Sequence, residues 1–288
     1  MTDEPNKRTF LSLGAGVQSS TLYLMACHGE FGNPPEAAIF ADTGWEPMGV
    51  YDWLDYLKDG IHQMAKDCGR TDIRHIPIHV IKYGNLREDS ISNVLTPPGD
   101  AKPFASIPLH GYSLEDRPMM MRRQCTREYK VTPITKKIRK LLKYKPHQRV
   151  KTNIDLWIGI SKDEVQRAKP NREKWITNQW PLLDRNMTRE DCKTWMIDHK
   201  YPVPPKSACL GCPYHDDNTW RDMKMNNPKD FKDTVEFERI IHNGLKDSKG
   251  IVYIHNSLKL LDEVDFENAE DKGQLNMFNN ECEGYCGI

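Results

Sequence analysis

Five of the eight cysteines fall into three short clusters late in the chain: Cys125 between Gln124 and Thr126, Cys209-Leu210-Gly211-Cys212-Pro213, and Cys282-Glu283-Gly284-Tyr285-Cys286. Two thiolates three residues apart can turn toward one metal or form a redox pair. A thiolate in a cationic setting is also a nucleophile. Far upstream, Ser12-Leu13-Gly14-Ala15-Gly16-Val17-Gln18-Ser19-Ser20 has the composition of an anion-gripping turn. Its small residues let main-chain N–H groups approach an anion, a following helix adds partial positive charge, and the hydroxyls donate further bonds. It is neither a Gly-Lys-Ser/Thr loop nor a G-x-G-x-x-G turn. A serine-capped strand-to-helix turn without a ligand would read the same way. A nucleotide grip followed by spaced thiols suggests sulfur chemistry on an activated nucleotide.

Such groups need a frame. Strand character at 10–13, 37–41, 73–81 and 154–160 alternates with helical spacing at 21–28, 50–68 and 132–142. This alternation predicts an α/β fold, a mostly parallel, doubly wound sheet with helices on both faces. Ligands of such sheets sit beyond the C-terminal strand ends, where Gly14 and Asp42-Thr43-Gly44 fall. Residues 82–120 are rich in Pro, Gly and Ser and read as a long loop or lid. Helical spacing returns at 189–199, 218–225 and 228–245, and Tyr201-Pro202-Val203-Pro204-Pro205 interrupts it. The expected division is a nucleotide-binding domain over 1–200 and a mainly helical region over 201–288 that ends in a mobile cysteine tail.

The 288 residues carry 41 basic and 41 acidic side chains, so net charge points to no polyanionic partner. The polar start, MTDEPNKRTF, has no apolar signal core, and no stretch reaches the ~18 apolar residues of a membrane span. A cytoplasmic protein is expected, with no membrane partner. In that compartment clustered cysteines bind metal or react more often than they cross-link.

Asp42-Thr43-Gly44 after the second strand adds a resemblance. With the glycine-serine turn, the chain resembles the PP-loop, or adenine nucleotide alpha-hydrolase-like, superfamily, and within it the phosphoadenylyl-sulfate reductase-like family. Gly16-Val17-Gln18 is similar to that family's Phe-Gly-x-Gln; ATP-cleaving members read Ser-Gly-Gly-x-Asp-Ser, with Asp where Gln18 stands. Cys125 and Thr126 ahead of Lys130-Val131-x-Pro133 resemble the reductases' Cys-Cys-x-x-Arg-Lys-Val-x-Pro, with Thr126 on the second cysteine. Trp180-Pro181-Leu182, Trp195, Tyr201 and Cys209-x-x-Cys212-Pro213 are similar to the stretch that carries the second cysteine pair. The tail resembles a Glu-Cys-Gly ending.

The resemblance implies an enzyme, a sulfonucleotide reductase-like oxidoreductase or a sulfurtransferase. An adenine nucleotide (phosphoadenylyl sulfate, adenylyl sulfate or ATP) would be held by Ser12, Gly14, Ala15, Gly16, Gln18, Ser19, Ser20, Asp42, Thr43 and Gly44. Arg167 and Lys169 would meet its charged end. Cys125, Cys209 and Cys212 would hold a [4Fe–4S] cluster with one iron open, or zinc together with His215. Cys282 or Cys286 would attack sulfur, and a thioredoxin-like thiol would resolve the product. The alternative activity is ATP-dependent thiolation of a tRNA or DNA with a separate sulfur donor. A zinc-stabilised nucleotide-binding protein is the further alternative, and a homodimer is compatible with each. Lys136, Lys137, Arg139, Lys140, Lys143, Lys145, Arg149 and Lys151 form a cationic run beside apolar Ile134, Ile138, Leu141 and Leu142. It reads as an amphipathic surface helix or as a patch for a nucleic-acid backbone.

Overall fold

The structure is a computed structural model that describes residues 7–67, 73–95, 107–113, 115–243 and 251–266. In chain order its main elements are β1 (Arg8–Ser12), α1 (Val17–Cys27), β2 (Ala37–Asp42), α2 (Met48–Asp55), α3 (Ile61–Asp67), β3 (Ile78–Lys82), α4 (Leu86–Leu95), β4 (His110–Tyr112), β5 (Pro118–Met120) and α5 (Thr132–Leu141). There follow β6 (Ile154–Ile158), β7 (Ile176–Gln179), α6 (Pro181–Asp184), α7 (Arg189–Asp198), α8 (Asp217–Asn226), α9 (Pro228–His242) and β8 (Val252–Tyr253). A π-helical turn, Tyr56–Gly60, joins α2 to α3, and another, Thr126–Val131, leads into α5.

Five parallel strands form the main sheet in the order β3-β2-β1-β6-β7. The chain winds outward from β1 to β3, then crosses back to β6 on the other side of β1. The order therefore reverses between β1 and β6, and a crevice opens beyond their C-terminal ends. Side chains alternate across the strands as a two-faced sheet requires. Leu11, Ala38 and Phe40 pack with α1, α2 and α7, whereas Phe10, Ile39 and Leu156 pack under Ile134 and Ile138 of α5. Every residue of α1 is buried. It lies between the sheet and α7, so it needs no polar face. Each leucine it buries contributes about 1.5–3 kcal/mol relative to exposure.

A second core draws Trp45, Leu86, Ile107 and Tyr129 together with Trp220, Phe237, Ile254 and Leu261. It therefore takes residues from both sides of position 200. An antiparallel sheet, β5-β4-β8, caps it. Fully buried Glu238 closes it by accepting the Ile254 and Leu261 N–H groups at 2.8 and 2.6 Å, and burial pushes its carboxyl pKa up.

The segment expected to be a lid contains α4, β4 and β5, and α4 is pinned to α9 by Arg87 on Asp233 at 2.9 Å. Weak periodicity hid α4, whose buried Leu86 and Ser90 are only four residues apart. The short strand β7 was also missed, because Ile176-Thr177-Asn178-Gln179 carries one large apolar residue.

Candidate nucleotide and cysteine site

Three cavities are linked through shared lining residues, the first two at the C-terminal ends of β1 and β6. The first, of about 130 Å³, is lined by Ser12, Gly14, Gly16, Gln18 and Ser19 of the turn, by Gly159 and Ile160 after β6, and by Arg167, Arg189, Lys206 and Ser207. The turn is fixed from within. Ser19 Oγ accepts the Gly14 N–H at 3.1 Å and donates to the Gly16 carbonyl at 3.3 Å. Gln18 Nε2 donates to Ser161 Oγ at 3.4 Å, and the Ser207 hydroxyl donates to the Gly14 carbonyl. Three cations around a helix N-terminus make a site for a phosphate chain. Arg167 is paired with buried Glu164 on the same wall. Lys206 is held by Thr219 Oγ1 at 2.9 Å and Asp216 at 3.5 Å.

The second cavity, of about 100 Å³, shares Ser12, Gly14, Ile158 and Ser207 with the first and is mostly apolar. Leu13, Phe40, Val131, Ile134 and Leu156 form its walls, with Thr135, Asn171 and Asn178 as polar points. Asn171 Nδ2 donates to Asn178 Oδ1 at 2.9 Å, and Asn178 Nδ2 donates to the Lys169 carbonyl at 2.9 Å. A mostly apolar cavity with a few polar points, beside a cationic one, could take a nucleoside.

The third cavity brings the cysteines together. Cys125, Cys209 and Cys212 line one space with Thr43, Arg123, Lys130, Gly211 and Tyr214, and Lys130 is common to this cavity and the nucleoside cavity. The Cys209–Cys212 knuckle is a tight turn, with the Cys212 N–H donating to the Cys209 carbonyl at 3.0 Å. It docks on Trp45, whose carbonyl accepts the Leu210 N–H at 2.9 Å. A Cβ at Gly211 would lie 2.1 Å from the Trp45 ring, so only glycine fits there. The Cys209 thiol sits 3.3 Å from Thr43 Oγ1 and donates to Glu46 Oε1 across 3.6 Å. Glu46 Oε1 also meets Lys130 Nζ at 3.3 Å and accepts from Thr43 at 3.0 Å. Buried Glu46 Oε2 has no hydrogen-bond partner among the described residues.

His215 does not complete a zinc site. Its Nε2 is 3.0 Å from the Cys209 carbonyl, the ring packs edge-on against Trp220, and the side chain is buried. It braces the knuckle from behind. Burial, with Lys206 nearby, pushes its pKa down to about 4. The unfolded chain, with His near 6.5, takes up this proton more readily than the fold does, so the contribution is fully present above pH 6.5 and is lost as pH falls toward 4. The loss amounts to roughly 3 kcal/mol. We expect Tm to fall over that window in the wild type and to fall less in His215→Asn. An identical acid limb in both proteins would exclude this role.

The donor chemistry of the third cavity, three thiols beside a carboxylate oxygen without a partner, suits iron–sulfur or zinc. Among the described residues no group of three such side chains stands ready at metal-binding spacing. The space between them is about 30 Å³, room for a water or two, each needing about 10–15 Å³. Arg123 and Tyr214 also line this cavity, with the guanidinium carbon 5.4 Å from the centre of the tyrosine ring.

Several residues expected to touch nucleotide are placed otherwise. Ser20 is buried, and its hydroxyl accepts the Trp53 indole N–H at 2.8 Å. Ala15 is buried at φ +60° and shapes the turn without lining any of these three cavities. The Asp42 carboxylate accepts the Gly44 N–H at 2.7 Å and the Tyr51 hydroxyl at 2.9 Å, which ties down its own loop. Gly44, at φ +73°, makes that turn. Thr43 faces the cysteines. Lys169 is exposed and contributes only its carbonyl. Cys282 and Cys286 lie outside the described residues. No local pattern marks Gly159, Arg189 or Glu46 as site residues; Lys206-Ser207, separated from the first knuckle cysteine by Ala208, is the one legible signal.

No protein-family model and no curated protein matches the sequence. Among solved structures, the chain is similar to the U34-tRNA thiolase NcsA from Methanococcus maripaludis with its [4Fe-4S] cluster, at 14% identity and a TM-score of 0.37, over 85% of this chain and 78% of that one. No helix among the described residues is long and apolar enough to cross a membrane.

Proposed function

We propose that this protein is an enzyme that activates an acceptor with an adenine nucleotide and then transfers sulfur to it. The observation that carries this reading is that Cys125, Cys209 and Cys212 share one cavity, joined through Lys130 to the nucleoside cavity. The adenosine would lie in the second cavity beside Val131, Ile134 and Leu156, and the phosphates on the N-terminus of α1 among Arg167, Arg189 and Lys206. An acceptor oxygen attacks the α-phosphorus of ATP, the bond to pyrophosphate breaks, and the three cations take up the departing charge. Lys130, oriented by Glu46, offsets charge at the junction of the cavities. A hydrosulfide then adds to the adenylated carbon, and AMP leaves with the oxygen, so no net oxidation occurs. Cys125, Cys209 and Cys212 would hold a [4Fe–4S] cluster here, which supplies an open iron able to carry such a sulfur.

A second reading, reduction of a sulfonucleotide, is favoured by Gln18. A neutral amide lines the phosphate cavity where ATP-cleaving relatives carry a carboxylate. There a tail thiolate, Cys282 or Cys286, attacks the sulfur, the S–O bond to the nucleotide breaks, and a thioredoxin-like dithiol reduces the resulting thiosulfonate. Anaerobically purified protein given ATP, sulfide and acceptor should release pyrophosphate and AMP. Sulfite release from phosphoadenylyl sulfate with no ATP turnover would replace the first reading by the second.

A further inference from the structure

Between Glu128 and Asp155 the chain holds nine lysines and arginines and no acidic residue, although the whole protein is neutral. The structure shows where this charge goes. Lys136, Lys140 and Lys143 are all exposed. Their spacing of four and then three residues sets them in one line along α5 and its C-terminal end. Ile134 and Ile138 occupy the opposite face, in the core. None of the three lysines forms a salt bridge among the described residues. Unpaired surface lysines would ordinarily be diluted by neighbouring acids, as the remainder of this chain is.

The line also starts at the site. Thr135, one residue before Lys136, lines the nucleoside cavity, and Lys130 lines both that cavity and the cysteine cavity. Exposed Tyr83 stands beside the start of the line, with Lys136 Nζ 5.4 Å from its ring centre. From Lys130 to Lys140 the helical path covers about 15 Å. That is roughly four phosphates of a duplex strand.

We infer that the exposed face of α5 is a docking surface for the sugar-phosphate backbone of a nucleic acid, laid so that one nucleotide reaches the cavities at its N-terminal end. Charge complementarity argues for this occupant: a polyanion with regular spacing matches a line of lysines that has no acids among it. Tyr83 offers a face on which a base can stack. Docking itself does not depend on the proposed chemistry; naming the docked molecule as the sulfur acceptor does rest on that reading.

The test is equilibrium binding of the full chain to unfractionated transfer RNA and to a short DNA duplex across a salt series. The comparison is with a Lys136→Gln/Lys140→Gln/Lys143→Asn variant, asparagine being chosen because Lys143 sits at φ +61°. The wild type should bind with a steep loss of affinity as salt rises. In the variant the slope of log K against log salt should be shallower by about 2–3, some 0.7–0.9 per lysine. Lys140→Glu alone gives a second reading if the triple variant folds poorly, and ATP binding unchanged from wild type reports an intact fold. Preference for RNA or for DNA identifies the backbone, and either supports the surface. An unchanged slope, or binding to phosphatidylserine vesicles with none to either nucleic acid, overturns it. Salt-dependent nucleic-acid binding with no pyrophosphate release would leave the surface standing and remove the proposed reaction.

Discussion

Gly159→Ala is expected to weaken nucleotide binding about 5- to 150-fold while leaving a cooperatively folded protein. The reason lies in the switch point of the sheet. β1 and β6 are paired in register up to Ser12 and Ile158, so the residues that follow them, the phosphate turn and Gly159, emerge side by side. A Cβ on Gly159 would lie 2.6 Å from both the backbone nitrogen and Cα of Ser19 and 2.9 Å from the carbonyl carbon of Gln18. These are main-chain atoms of the first turn of α1, and no flexible side chain is present to yield. Real Cβ atoms do not approach so closely, so either α1 or the end of β6 must move. Overpacking of this kind costs about 1–3 kcal/mol. The strain falls on the N–H groups that would receive phosphate, so it converts to the stated range of affinity. Titration with ATP and with phosphoadenosine phosphate measures the effect, and a thermal melt reports the fold. Wild-type affinity for both nucleotides in Gly159→Ala would place the nucleotide elsewhere than on this turn. Gly14→Ala serves as contrast: its Cβ would meet only Ser19 Oγ, at 3.5 Å, an ordinary contact.

Much of this frame was legible in the chain because two periods carry it. Phe10-Leu11, Ala37 to Ala41 and Ile154 to Leu156 are short, bounded apolar runs, and runs of that length between helical segments imply buried parallel strands. The phosphate turn was legible because small residues followed by hydroxyls occupy a strand-to-helix joint. The fine assignment was not legible, because residue type does not report direction. Ser19 and Ser20 are adjacent serines on one helix, yet the first closes the turn and the second holds Trp53 in the core. Asp42 was read as a ligand group; an Asp before Thr-Gly equally makes the Asx-type turn it forms here. Arg189 and Lys206 reach the phosphate cavity from α7 and from the segment before the knuckle, and no local spacing links either to residue 14. Glu46 was invisible for the same reason. Its role arises only when Cys209, 163 residues away in the chain, packs against it.

That packing leads to the second large effect. Cys209→Ser should reduce sulfur transfer by more than ~100-fold and leave nucleotide affinity within about twofold of wild type. Loss of an outer-shell partner at a metal site typically costs about 10–100-fold, and loss of the sulfur itself exceeds that. Serine is chosen over alanine because Cys209 is buried between Thr43 and Glu46. A hydroxyl keeps a donor for Glu46, so the knuckle and the Lys130–Glu46 pair survive and only sulfur chemistry is removed. Alanine would strip a partner from Glu46, whose second oxygen already has none. Glu46 Oε1 would keep Thr43 and Lys130, but loss of one hydrogen bond to a buried carboxylate costs about 1–3 kcal/mol and would confound activity with stability. Glu46→Gln should lie between the two. It keeps a side chain of the same shape but weakens the hold on Lys130, lowering turnover about 10-fold or more with little change in Tm. The decisive comparison is between two readouts on each protein: pyrophosphate release, which on the proposed reaction would depend on the first two cavities, and thiolated product, which would depend on the third. Cys209→Ser should retain the first and lose the second. If both fall together, the cysteines belong to the nucleotide site rather than to sulfur delivery, and if neither falls, the three thiols are core packing.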